Sequence, residues 1–120
     1  MNQAQYLLAL AKQKIQAYIA NPNAKAGMIT GSTATGQADS YSDVEMFIYY
    51  DRLPSIAKLQ LARQQNLGSE PIRVLGDRHE GFWGEFYFID GIEFQIGNVT
   101  IDFWERDMAA VLQELNVIPI

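Results

Sequence analysis

The sequence contains no cysteine. Disulfide bridges, thiolate nucleophiles and cysteine-ligated zinc are therefore excluded. Its one histidine, His79, lies in the polar loop "GDRHEG" with no second histidine at metal-ligand spacing, and reads as a solvated side chain. Basic residues are scarce. Nine Lys and Arg stand against fourteen Asp and Glu, for a formal net charge of −5. A surface that neutralises a run of phosphates needs the opposite balance, so nucleic acid is not an expected partner. One anionic ligand held through a metal remains compatible with that charge. No apolar run approaches the roughly 20 residues of a membrane span. The start of the chain lacks the basic and apolar regions of a secretory signal. The expected setting is cytoplasmic.

What is present suits one globular domain. Hydrophobic residues make up 48% of the 120 and charged residues 19%, enough for a single core and too apolar for disorder. Residues 1–120 therefore read as one domain, either complete or the N-terminal part of a larger protein. Residues 3 to 20 have helical periodicity, with Leu8, Ala11, Ile15, Tyr18 and Ile19 on one face. "NPNAKAG" breaks that helix, and "MIT" (28–30) is a short strand. "DVEMFIYY" (43–50) is a strand rich in β-branched and aromatic residues. A second helix follows, with Pro54 in its first turn and Gly68 as its terminal glycine. "PIRVLG" (71–76) is a further strand. Asp90-Gly91 marks a tight hairpin between two alternating runs. The last helix starts at "TIDFWERD", with Thr100 as N-cap and Asp102 and Glu105 near the positive end of its dipole. Trp104, Met108, Val111, Leu112 and Leu115 form its expected buried stripe. The order α-β-β-α-β-β-β-α predicts an α+β fold: a mixed, mainly antiparallel sheet of about five strands with helices packed on it.

One stretch carries chemistry: "GSTATGQADSYSDVEM", residues 31 to 46. Side chains two apart on a strand share a face, so Asp43 and Glu45 project together. Adjacent carboxylates repel, and a cation between them removes the conflict. Their hard oxygens suit Mg²⁺, which completes its shell with substrate phosphates. Gly31 lets backbone approach a ligand, and Ser32 offers a hydroxyl and an N–H. Amides of a helix opening at "STATGQA" would add an anion site. An Asp-x-Glu pair is also the ordinary pattern of an exposed strand face. The joint spacing favours the functional reading.

Gly31-Ser32, ten residues, then Asp43-Val44-Glu45 resembles the signature of the nucleotidyltransferase superfamily of the DNA polymerase β type. The ending "YSDVEM" is particularly similar to the kanamycin-type aminoglycoside nucleotidyltransferases. The resemblance covers about 25 residues clearly and extends to the element order of the chain. It implies that Asp43 and Glu45 hold Mg²⁺, that Gly31, Ser32, Thr35 and Ser42 contact the nucleotide, and that a nucleoside triphosphate such as ATP passes its monophosphate to a hydroxyl acceptor. The acceptor would be an aminoglycoside-like small molecule or a protein. Thr35 stands where members often carry Arg. The third acid of the family comes from a later strand. Direct matching puts Gln95 there, whereas Glu93, two residues earlier on the same face, supplies the carboxylate and is the favoured third catalytic residue beside Asp43 and Glu45. The family's acceptor pocket comes from added helices, so a homodimer, a C-terminal helical domain or a helical partner protein is implied. Minimal nucleotidyltransferases of similar size act as antitoxins on such a partner. A non-catalytic module binding a partner or nucleotide is the alternative. Lys25, Lys58 and Arg63 read as surface cations, Asp102 as a helix-start acid rather than a third ligand, and Trp83 as a core or interface anchor.

Overall fold

The computed structural model describes residues 2–30 and 43–114, with the side chains of the last helix described as far as Asp107. The elements are α1 (Gln3–Ile19), β1 (Ala24–Thr30), β2 (Val44–Tyr50), α2 (Ile56–Gln65), β3 (Arg73–Leu75), β4 (Phe82–Ile89), β5 (Ile92–Thr100) and α3 (Ile101–Glu114). The strands form a five-stranded sheet in the order β1-β2-β5-β4-β3. β2 and β5 run parallel at its centre, and every other pair is antiparallel. This is the α+β architecture with a mixed, mainly antiparallel sheet that the element order predicts. No helix among the described residues is long and apolar enough to cross a membrane.

Local chemistry explains the element ends. Asn2 and Gln5 cap α1 reciprocally, side chain to backbone at 2.8 and 3.0 Å. The helix buries Ala4, Leu7, Ala11, Ile15 and Tyr18. Leu7 therefore takes the place expected for Leu8, and Ile19 is exposed. The stripe steps by three and four from Ala4, which turns Leu8 and Ile19 towards its edges. β1 starts at Ala24, four residues before the expected "MIT". A turn in which the Asn21 side chain accepts the Asn23 N–H at 2.9 Å ends the helix sooner, and pairing with β2 carries the weak strand formers Ala-Lys-Ala-Gly. A Cβ at Gly27 would sit 2.8 Å from the Ile15 terminal methyl, so the glycine lets α1 lie close on β1 without moving that side chain.

Ser55, not Pro54, opens α2: its hydroxyl accepts the Lys58 N–H at 3.2 Å, so the proline lies just before the cap. At the other end the left-handed residue is Leu67, with φ 60°, not Gly68. The Leu67 N–H bonds to the Gln64 carbonyl and the Gly68 N–H to the Arg63 carbonyl, the paired closure of a Schellman ending. Gly68 is required for space instead, because a Cβ would stand 2.6 Å from the Tyr87 ring. Asp90 and Gly91, φ 52° and 79°, make the expected tight hairpin turn. Thr100 closes β5 and caps α3, its hydroxyl accepting the Phe103 N–H at 3.1 Å.

The core lies between the sheet and the pair α1 and α2. Leu7, Ala11, Ile15 and Tyr18 of α1 and Leu59 and Ala62 of α2 meet Val44, Met46, Ile48, Tyr50, Tyr87, Ile89, Phe94 and Ile96 of the sheet. Each large aliphatic buried this way contributes about 1.5–3 kcal/mol. Polar groups inside pair with one another, while among the described residues Arg78 keeps one buried guanidinium nitrogen without a partner. Tyr18 and Tyr87 share a hydroxyl–hydroxyl bond of 2.6 Å, and the Tyr50 hydroxyl donates to Asn98 at 2.6 Å. Arg63, expected on the surface, is buried, and donates to Glu85 at 3.1 Å; the Trp83 indole N–H donates to the other Glu85 oxygen at 3.1 Å. The carboxylate partner is what lets a guanidinium enter the core.

Candidate functional site

Alternation along β2 divides its side chains. Val44, Met46, Ile48 and Tyr50 are buried under the helices, whereas Glu45, Phe47 and Tyr49 are half-buried on the opposite face. Asp43, one residue before the strand, is exposed and by the same alternation shares the Glu45 face. On β5, Phe94, Ile96 and Asn98 enter the core, so Glu93, Gln95, Gly97 and Val99 belong to the second face. The parallel register sets Gln95 beside Glu45. Thr30 of β1 flanks Glu45 from the other side, and its hydroxyl lies 3.5 Å from the Glu45 carbonyl.

The structure therefore brings Asp43, Glu45 and Gln95 together. The Gln95 amide donates to an Asp43 carboxylate oxygen at 3.0 Å. Glu93 sits one side-chain position further along β5, opposite Phe88, about 7 Å along the strand from Gln95. Among the described residues no three acidic or histidine side chains converge to hold a metal ion. Two carboxylates with an amide oxygen nearby still fit Mg²⁺, which commonly takes one or two protein carboxylates and leaves its other positions to phosphate and water. Gly31, Ser32, Thr35 and Ser42, the expected phosphate contacts, lie outside the described residues. His79 is exposed, and its backbone N–H bonds to the Asp77 carboxylate. Asp102 lies in the first turn of α3, and Lys25 pairs with Asp51 at 3.2 Å.

The same face carries two recesses. A furrow of about 110 Å³ beside Glu45 and Gln95 is floored by Gly84 and Gly97 and walled by Phe47, Phe82 and Phe86. Gly97 lies under the Phe47 ring, 2.5 Å from where a Cβ would stand, so a larger residue there would displace the ring. Beyond Phe47 opens a groove of about 400 Å³ whose wall is completed by Tyr49, Phe103 and Trp104. The last helix therefore covers the second face with aromatic side chains. Trp104, expected in a buried stripe, is 44% exposed and meets the Tyr49 ring edge-on. The remainder of that stripe, Met108, Val111, Leu112 and Leu115, lies outside the described side chains. Burial on this face raises the Tyr49 phenol above its ordinary value. The available sequence signal for the groove was Phe103 and Asp107 four apart on one helix, which periodicity alone assigns to core and solvent. No protein-family model and no curated protein matches this chain.

Proposed function

We propose that this chain is a nucleotidyltransferase-fold protein that passes a nucleoside monophosphate from a triphosphate, ATP in the first instance, to a hydroxyl acceptor. The observation that carries this reading is the shared face of Asp43 and Glu45 at the start of a central strand, held open to solvent beside Gln95. Bound there, Mg²⁺ would neutralise phosphate charge and position the triphosphate. Asp43 and Glu45 are the residues that hold it. The Gln95 amide orients the Asp43 carboxylate, and Glu93 is the nearby carboxylate left to accept the acceptor's proton. In the reaction the acceptor oxygen bonds to the α-phosphorus, the bond to the pyrophosphate oxygen breaks, and pyrophosphate leaves. Gly31, Ser32, Thr35 and Ser42 are assigned to the nucleotide by their place in the motif. A second copy, a helical domain or a helical partner protein would complete the acceptor pocket, and ATP chemistry suits a cytoplasmic setting.

One observation favours a second reading. The group standing against Asp43 is the amide of Gln95, which cannot take a proton and ligates cations weakly. A two-carboxylate site of this kind fits a module that binds nucleotide or a partner protein without turnover. The experiment is a pyrophosphate-release assay with ATP and Mg²⁺ on the wild type and Asp43→Asn. Release by the wild type, lost in the variant at an unchanged melting temperature, supports transfer. Equal release by both removes Asp43 from the site, and binding without release selects the module.

A further inference from the structure

We infer that the aromatic groove on the second face is a binding site for an alkylated ammonium group. Tyr49 and Trp104 present walls at 84° to each other, with centroids 6.2 Å apart. Phe82 and Phe103 stack at 5.8 Å on the same groove, and Phe47 separates it from the furrow at Glu45. Asp107, one helical turn beyond Phe103 and Trp104, adds a carboxylate to an otherwise aromatic and aliphatic lining. Aromatic rings meeting at right angles with one acid beside them suit a cation whose charge is spread over methyl groups, because ring faces attract the charge and the methyls shed water readily. The volume of about 400 Å³ lies within the range of small-molecule sites.

Charge complementarity selects this occupant over a neutral one. Asp43, Glu45, Glu93 and Asp107 lie on or beside this face; of the described strand cations, Lys25 of β1 is paired with Asp51 and Arg73 lies on β3. The Arg73 guanidinium already rests 4.1 Å over the Phe86 ring, so the fold uses the same attraction one strand away. Arg106 reaches only 6.0 Å from the Phe103 centroid, and its donors are engaged by the Asp102 and Glu80 carbonyls. Among the described residues no cationic side chain stands over Phe47, Tyr49, Phe82 or Trp104. A wholly apolar cover would instead desolvate Asp107 and the furrow acids without a partner, at a cost.

The test titrates the full chain with tetramethylammonium and with choline, against dimethylbutanol, the uncharged carbon isostere of choline, read by calorimetry and indole fluorescence. The expected result is saturable binding of both cations, with the isostere weaker by at least about tenfold. Asp107→Asn should weaken the cations about fivefold and leave the isostere unchanged. Trp104→Ala should weaken all three, with its melt confirming that it folds. The titrations are run without ATP and without Mg²⁺, so this result stands or falls apart from nucleotidyl transfer. Equal affinity for cation and isostere, absence of saturable binding, or a dimer in sedimentation that Trp104→Ala dissociates would each overturn the assignment; the last would make the groove a contact between copies.

Discussion

Gln95→Glu turns the amide that donates to Asp43 into a carboxylate facing it. The two groups are 3.0 Å apart. Asp43 is exposed and Gln95 half-buried, so water-like screening applies, and two unit charges at that separation repel by about 1.4 kcal/mol at a dielectric constant of about 80. The donated hydrogen bond is lost as well. Side-chain rotation relieves part of both, leaving an expected destabilisation of about 1–2 kcal/mol at pH 7 in chelator. For a domain of this size that lowers the melting temperature by about 4–8 °C. The pH dependence has a definite sign. Like charges raise the folded-state pKa of the pair above the unfolded value of about 4. The penalty is therefore absent below about pH 4 and grows as pH rises through the raised value. Mg²⁺ should reverse it, because the variant offers three carboxylates where the wild type offers two. Differential scanning fluorimetry at pH 4 and pH 7, with chelator and with Mg²⁺, reads all three effects. An unchanged melting temperature at pH 7 in chelator would show that the two side chains are not neighbours. A drop that Mg²⁺ does not reverse would show that they do not share a cation.

Leu67→Gly should stabilise the chain by about 0.5–1 kcal/mol in urea denaturation, because relief of a left-handed leucine outweighs the added freedom of the unfolded chain. Gly68→Ala should cost about 1–3 kcal/mol by the same measurement, since the new methyl meets the Tyr87 ring. Arg63→Met alone leaves Glu85 buried and without its cation and should cost about 3–5 kcal/mol, whereas Arg63→Met with Glu85→Leu should recover most of the loss. The buried hydroxyls of Tyr18, Tyr50 and Tyr87 are all raised above the ordinary phenol value, chiefly by burial. Their contribution is whole below about pH 10 and is lost as pH rises towards the folded values, so unfolding midpoints should fall steeply above about pH 10.

The legible parts of this fold were those with local causes. Asp90-Gly91 announces its turn because few dipeptides accept positive φ twice, and the alternation in "DVEMFIYY" announces one buried and one open face. The start of β1 was not legible, because Ala24 to Gly27 form a strand only through their pairing with β2. The ending of α2 was misleading for a related reason: Gly68 adjoins the left-handed position, but its small volume is demanded by Tyr87, a contact 19 residues away. Arg63 could not be placed in the core without knowing that Glu85 lies opposite. The candidate site divides along the same line. The common face of Asp43 and Glu45 follows from strand period alone. The choice between Glu93 and Gln95 as their neighbour depends on how β5 registers against β2, a parallel pairing between segments some 50 residues apart that no local pattern encodes. The aromatic groove depends on α3 folding back over the second face, which periodicity within the helix does not reveal.

The most direct measurement is a calorimetric titration of ATP into the wild type and Asp43→Asn, each with and without Mg²⁺. Saturable binding that requires Mg²⁺ and disappears in the variant, while both proteins melt alike, is the predicted outcome. Binding that ignores Mg²⁺ or survives the substitution, or no binding to the wild type at all, would contradict a cation-held nucleotide on this strand face.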